Sequence, residues 1–212
     1  MINKKTSDEI VSRLEREYPL AECTLDYTQA YELVVSVRLA AQCTDARVNQ
    51  VTPALFARYP DVYAMAKADI ADVEEYIRSC GFYHGKARDI VEAAKMIVNE
   101  FNGKVPDNMD DLLRLPGVGR KSANLILGDV YNAPGAVVVD THCIRLANRI
   151  GYVDIKDPAK IEHILRSVLP ADKSSDFCHR MVLHGRAVCS ARAPACDKCC
   201  INDLCRQYKS EH

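Results

Sequence analysis

The residues best placed for covalent chemistry are an amine and a carboxylate in two short motifs. Lys121 lies in Leu115-Pro116-Gly117-Val118-Gly119-Arg120-Lys121-Ser122-Ala123-Asn124, directly behind a Gly-x-Gly turn. Gly117 and Gly119 remove two β-carbons from that turn, and Leu112, Leu115, Ile126 and Leu127 on either side predict a hairpin of two short helices over about 109–128. A helix opening on such a turn exposes N–H groups with no intrahelical partner, and its dipole adds about half a positive charge. That combination holds a phosphate. The turn lacks the preceding strand and further glycine of a dinucleotide fingerprint and the longer spacing of a P-loop, which argues against a free nucleotide. A nucleic-acid backbone fits better, gripped without sequence readout along Leu115, Gly117, Val118, Gly119 and Arg120. A plain helix–turn–helix corner fits the glycine spacing too. Lys121, in the first turn of the second helix, tips the reading toward DNA.

An amine in that position is either a phosphate clamp or a nucleophile. An unperturbed lysine, of pKa near 10.4, is only about one part in 2,500 neutral at pH 7, so nucleophilic use needs burial or neighbouring positive charge. Arg120 and the helix N-terminus supply positive potential. A carboxylate is also needed, to handle protons and face a cationic sugar transition state. Val137-Val138-Val139-Asp140-Thr141-His142 offers Asp140, held behind an apolar run. An ordinary helix N-cap is the other use of an aspartate placed there.

The third constellation is Cys189-x6-Cys196-x2-Cys199-x5-Cys205, in a short basic tail with little apolar content. Such a segment needs a staple. Four thiolates suit zinc or an iron–sulfur cluster, and the central spacing alone leaves both open. Arg192 and Lys198, between the thiols, would be held as a basic loop able to meet phosphates. Cys23, Cys43, Cys80, Cys143 and Cys178 are scattered and expected as small buried hydrophobes.

With these motifs in this order, the chain resembles the helix-hairpin-helix DNA glycosylases, in their endonuclease III branch, from about residue 10 to about residue 208. The resemblance implies an all-α, two-lobed helix-hairpin-helix DNA glycosylase fold with a C-terminal [4Fe-4S] cluster loop. One lobe would be residues 23–135, containing the hairpin, and the other residues 1–22 with 136–212. It further implies a base-excision repair DNA N-glycosylase with abasic-site lyase activity, removing oxidised or saturated pyrimidines from duplex DNA. In that family the hairpin lysine attacks the sugar C1′ and the aspartate assists, which are Lys121 and Asp140 here. Relatives that only remove a base lack that lysine. Gln42 matches the glutamine inserted into the gap left by an extruded nucleotide, and Phe82 an apolar wedge. Away from the family, Gln42 reads as a solvated turn residue and Phe82 as a staple packed on the helix beneath. Many relatives carry Ser where Ala40 stands. The cysteine spacing of 6, 2 and 5 matches the branch's [4Fe-4S] ligands residue for residue and leaves Cys200 out. The implied partner is damaged double-stranded DNA, with a monomeric chain and no membrane. Two other classes stay open: a monofunctional mismatch- or adenine-type glycosylase, and a non-catalytic DNA-binding iron–sulfur protein.

The elements that must position these residues are helical. The 212 residues, 48% hydrophobic, support a substantial core without a membrane span, and the N-terminus shows no export signal, so the expected compartment is the cytoplasm, at the nucleoid in a bacterium. Net charge is only −1, with a basic excess in 178–209 and an acidic one in 61–80. Thr6-Ser7-Asp8-Glu9 predicts a capping box starting a helix through about Tyr18. Further helices are expected over 28–42, 46–58, 60–66, 69–80, 84–101, 119–132, 141–151, 158–169 and, last, 175–188. Lys86 and Arg88 are expected as phosphate contacts or a solvated face, and Val137–Val139 as buried crossover chain lacking a strand partner.

Overall fold

The computed structural model describes residues 2–211, which are helices and connections with no β-strand among them. The chain forms two compact units, Met1–Glu22 with Asn132–His212, and Cys23–Tyr131. The first unit receives α1 (Lys4–Glu17). The second is built from α2 (Ala30–Leu39), α3 (Asp45–Arg58), α4 (Val62–Ala66), α5 (Ile70–Ile77), α6 (Tyr83–Glu100), α7 (Met109–Leu112) and α8 (Arg120–Tyr131). The chain then returns to the first unit with α9 (Thr141–Ile150), α10 (Pro158–Val168), α11 (Ser174–Ala187) and α12 (Arg206–Glu211).

In the Cys23–Tyr131 unit, α6 packs against α2, α4 and α5, and α8 packs against α2 and α7. The apolar stripe of α6 turns Ile90, Val91, Ala94 and Ile97 inward, where they meet a core that includes Leu33, Leu55, Met65 and Ile77. Each such side chain contributes about 1.5–3 kcal/mol when fully buried. In the other unit, α11 packs against α1 and α9, burying Ile10, Leu14, Leu146, Phe177 and Met181. Val137–Val139 crosses this core as buried irregular chain, as expected, and the Val138 N–H donates to Cys178 Sγ at 3.2 Å.

Several helix boundaries differ from the sequence expectation for local reasons. α1 begins two residues before Thr6, because Asn3 caps it by accepting from the Thr6 N–H at 2.9 Å; Ser7 is instead buried and bonded to the Tyr152 hydroxyl at 3.0 Å. α2 is shorter than 28–42. Glu32 draws the N–H groups of Thr28 (2.6 Å) and Gln29 (3.1 Å) out of the helix, and at the other end Gln42 adopts φ +56°. A helix beyond the expected last one, α12, follows the cysteine segment, where Arg206 anchors it by pairing with Asp154 at 2.6 Å.

Candidate active site and cysteine pocket

The hairpin is as compact as its glycines demand. α7 ends at Leu112, the N–H groups of Leu115 and Val118 bond back to Leu112 and Leu115 (3.2 and 3.1 Å), and Gly117 takes φ +78° before α8 opens at Arg120. Gly117 is glycine for a second reason. A β-carbon there would stand 2.3 Å from Cδ of Arg38, whose guanidinium is held by Asp89 at 2.6 Å. The turn's own bonds leave the Gly117 and Gly119 amides unspent, and both glycines are exposed. The side chains of Leu115 and Val118 are only 2% and 7% exposed and belong to the core, so the backbone grip expected of them rests on main chain alone. Arg120 and Lys121 are exposed in the first turn of α8, where the helix N-terminus adds its positive potential.

Asp140 lies in the other unit as the N-cap of α9. Its Oδ1 accepts the Cys143 N–H at 2.7 Å, leaving the second carboxylate oxygen for other work. The cap reading therefore holds, and it is compatible with a chemical role. Two residues on, His142 is pushed below its ordinary pKa by burial and is neutral at pH 7. Its Nδ1 lies 3.1 Å from the Arg145 guanidinium, which also donates to the carbonyls of Gly185 (3.1 Å) and Cys189 (3.0 Å). Packing here is tight enough that a β-carbon on Gly185 would meet His142 Nδ1 at 2.6 Å.

Gln42 and Phe82 are both exposed, Phe82 at 74%, and both are in the left-handed region with φ +56° and +49°. That exposure removes the staple alternative for Phe82. Together they line one open hollow with Arg38, Tyr83 and Lys86. Lys86 is a correction, because it is neither a phosphate contact nor a solvated residue. It is 1% exposed, and its Nζ donates to the carbonyls of Leu39 at 2.8 Å and Cys80 at 2.7 Å. Sequence periodicity gave no sign of this, since a lysine two residues before Arg88 in a surface turn reads as solvent-facing.

Cys189, Cys196, Cys199 and Cys205 all line a single pocket, whose other walls include Leu146, Ile150 and Ile201. No three His, Cys, Asp or Glu side chains among the described residues converge closely enough to hold one metal ion. The four cysteines share the lining of one hollow. Burial pushes the Cys199 thiol up to about 12, and burial with the neighbouring thiols pushes Cys196 up as well. Thiolates gathered in so apolar a place need compensating positive charge. Arg149 donates to Cys189 Sγ at 3.3 Å, and His184 Nε2 lies 3.3 Å from Cys199 Sγ while the Tyr18 hydroxyl meets its Nδ1 at 3.0 Å. Burial holds His184 down to about 4, so it is neutral. Arg192 and Lys198 are exposed, but much of the basic excess in 178–209 is spent internally: Arg180 is buried against the Tyr18 carbonyl and Arg206 is paired. The remaining thiols are less scattered than expected. Cys143 touches Cys178, and Cys43 touches Cys80.

Comparison with known proteins agrees with this architecture. Residues 35–171 match the family model described as HhH-GPD superfamily base excision DNA repair protein. The chain is 46% identical to endonuclease III of Synechocystis sp. over 95% of its length and 92% of the relative's, and 37% identical to that of Escherichia coli strain K12 over 99% of each. A solved structure of a trapped endonuclease III–DNA covalent intermediate superposes with a TM-score of 0.90 at 36% identity, covering 100% of this chain and 99% of that one. A hairpin with exposed glycine amides, an all-helical body and near-full-length likeness thus lead to one conclusion: the chain belongs to the HhH-GPD superfamily of base excision DNA repair proteins, in its endonuclease III family.

Proposed function

We propose that the protein is a bifunctional base-excision repair enzyme, a DNA N-glycosylase and abasic-site lyase acting on oxidised or saturated pyrimidines in damaged duplex DNA. The carrying observation is Lys121, exposed in the first turn of α8 immediately behind amides suited to a DNA phosphate. Near-full-length likeness to the trapped covalent complex supports this reading.

In the reaction, the Lys121 amine attacks C1′ of the damaged nucleoside and the C1′–N bond breaks, the base leaving with the bond's electrons. Loss of a proton from the amine and opening of the sugar ring give a Schiff base. Removal of a C2′ proton then expels the 3′ phosphate in β-elimination. Asp140, with one oxygen fixed by the Cys143 N–H, is oriented to face the positive charge that develops on the sugar and to take up a proton. Gln42 and Phe82 occupy the gap after extrusion of the nucleotide, and Arg120, Arg192 and Lys198 meet phosphates.

Cys189, Cys196, Cys199 and Cys205 hold a [4Fe-4S] cluster, a reading supported by four cysteines that line one pocket, by the Arg149 donor near Cys189 Sγ and by the His184 ring near Cys199 Sγ. When bound, the cluster staples the tail that carries Arg192 and Lys198. The protein works as a monomer in the cytoplasm, at the nucleoid in a bacterium, and no helix among the described residues is long and apolar enough to cross a membrane.

Borohydride trapping tests the reading. Incubation with a duplex bearing one thymine glycol or one abasic site, followed by reduction, is expected to give a covalent protein–DNA band that Lys121→Ala abolishes while duplex binding persists. Intact binding with no band from the wild type would point to the monofunctional glycosylase.

A further inference from the structure

A lysine with 1% of its surface exposed is unusual, because desolvating an ammonium costs several kcal/mol unless its hydrogen bonds are made good, here by the carbonyls of Leu39 and Cys80. A leucine or methionine would fill the same space without that cost. What the amine adds is a tie between two particular points of the chain. Leu39 is the last residue of α2, and its carbonyl is among those a helix end leaves without a partner. Cys80 closes the turn of 3₁₀ helix Arg78–Cys80 that precedes α6.

Each of these points is the stem of a loop that ends in an exposed residue of unfavourable backbone geometry. Three residues beyond Leu39 stands Gln42, and two beyond Cys80 stands Phe82, preceded by Gly81 at φ +65°. The left-handed region is unfavourable for a side-chain-bearing residue, so surrounding structure must hold both in place. Lys86 also binds the second loop through its main chain, its N–H donating to the Phe82 carbonyl at 3.2 Å. Its side chain borders the hollow that Gln42 and Phe82 line.

We propose that Lys86 is a positioning residue for nucleotide extrusion: by clamping the Leu39 and Cys80 carbonyls together it sets the spacing of Gln42 and Phe82. The inference rests on the reading of those two residues as the gap-filling pair. Lys86 itself touches no DNA. Its effect is on the step in which the duplex is opened, not on the affinity for the duplex.

The test is single-turnover base release from a thymine glycol duplex, read beside the fluorescence of a 2-aminopurine placed opposite the lesion. Lys86→Met keeps the volume and removes the donors. It is expected to lower the rate and the fluorescence change about tenfold at unchanged duplex affinity, less than the roughly hundredfold that a 1 Å misplacement can cost. Added to Gln42→Ala, it should cost little more, since both act through one loop. A wild-type rate for Lys86→Met, or losses that multiply with those of Gln42→Ala, would overturn the proposal alone. Wild-type behaviour of both Gln42→Ala and Phe82→Ala would overturn the gap-filling reading and this proposal with it. If Lys86→Met does not fold, Lys86→Arg decides the question. It keeps charge and donors but lengthens the reach, so a lowered rate at unchanged melting temperature supports the clamp and an unchanged rate rejects it.

Discussion

At the scale of single residues, Asp140 has an observed role as a cap and a proposed role in the chemistry, which substitution can separate. As N-cap of α9 it accepts a backbone N–H through one oxygen, a task asparagine performs as well as aspartate. Facing a cationic sugar requires the charge that asparagine lacks. Asp140→Asn should therefore leave the melting temperature nearly unchanged and lower single-turnover base release at least about a hundredfold, within the range general acid–base groups supply. Asp140→Ala should lose activity and also about 1 kcal/mol of stability, through the lost cap. Calorimetry and base-release kinetics on the two variants check the division. Equal stability losses in both would mean the charge, not the cap, supports α9.

The hairpin shows how an element depends on a residue far from it in sequence. Gly117 stands at φ +78°, and its missing β-carbon leaves room for Arg38, which Asp89 of α6 holds in place. Gly117→Ala should cost about 1–2 kcal/mol from the left-handed backbone and more if Arg38 is displaced. Under the proposed role of the turn's amides in gripping phosphate, duplex affinity should fall with stability. The check is a duplex titration beside a melting curve. A variant that melted earlier but bound duplex with wild-type affinity would show that the Gly117 and Gly119 amides do not grip the backbone. The Asp140 cap and the hairpin itself were legible in sequence because each is set by residues within a turn or two of one another. Helix ends were less so: Asn3, Glu32 and Arg206 move boundaries through bonds that compete with equally good local signals such as Thr6.

At the scale of the whole molecule, the four-cysteine tail belongs to the unit formed by the chain's two ends, with α1 and α9–α12. Arg145 and Arg149 of α9 reach its carbonyls at Cys189, Ser190 and Ala191, and Arg13 of α1 reaches Cys200. Under the proposed cluster, Cys196→Ser should remove its visible absorption and loosen residues 189–211, as measured by hydrogen exchange. The Cys23–Tyr131 unit should keep its protection, since its core is separate. Uniform loss of protection across both units would show instead that they fold as one.

The sequence by itself determined the helical class, the hairpin with Lys121, the capping Asp140 and the ring of four cysteine positions, because turn geometry, capping and ligand spacing reside in a few consecutive residues. Tertiary structure alone decided that Leu115 and Val118 lie inside, that Arg38 lies against Gly117, that Cys143 meets Cys178, and that Lys86 is sealed between two carbonyls. Those outcomes depend on which segments, separated by up to dozens of residues, the packing of helices brings together. No local pattern can tell a lysine that will meet water from one that will meet two orphaned carbonyls.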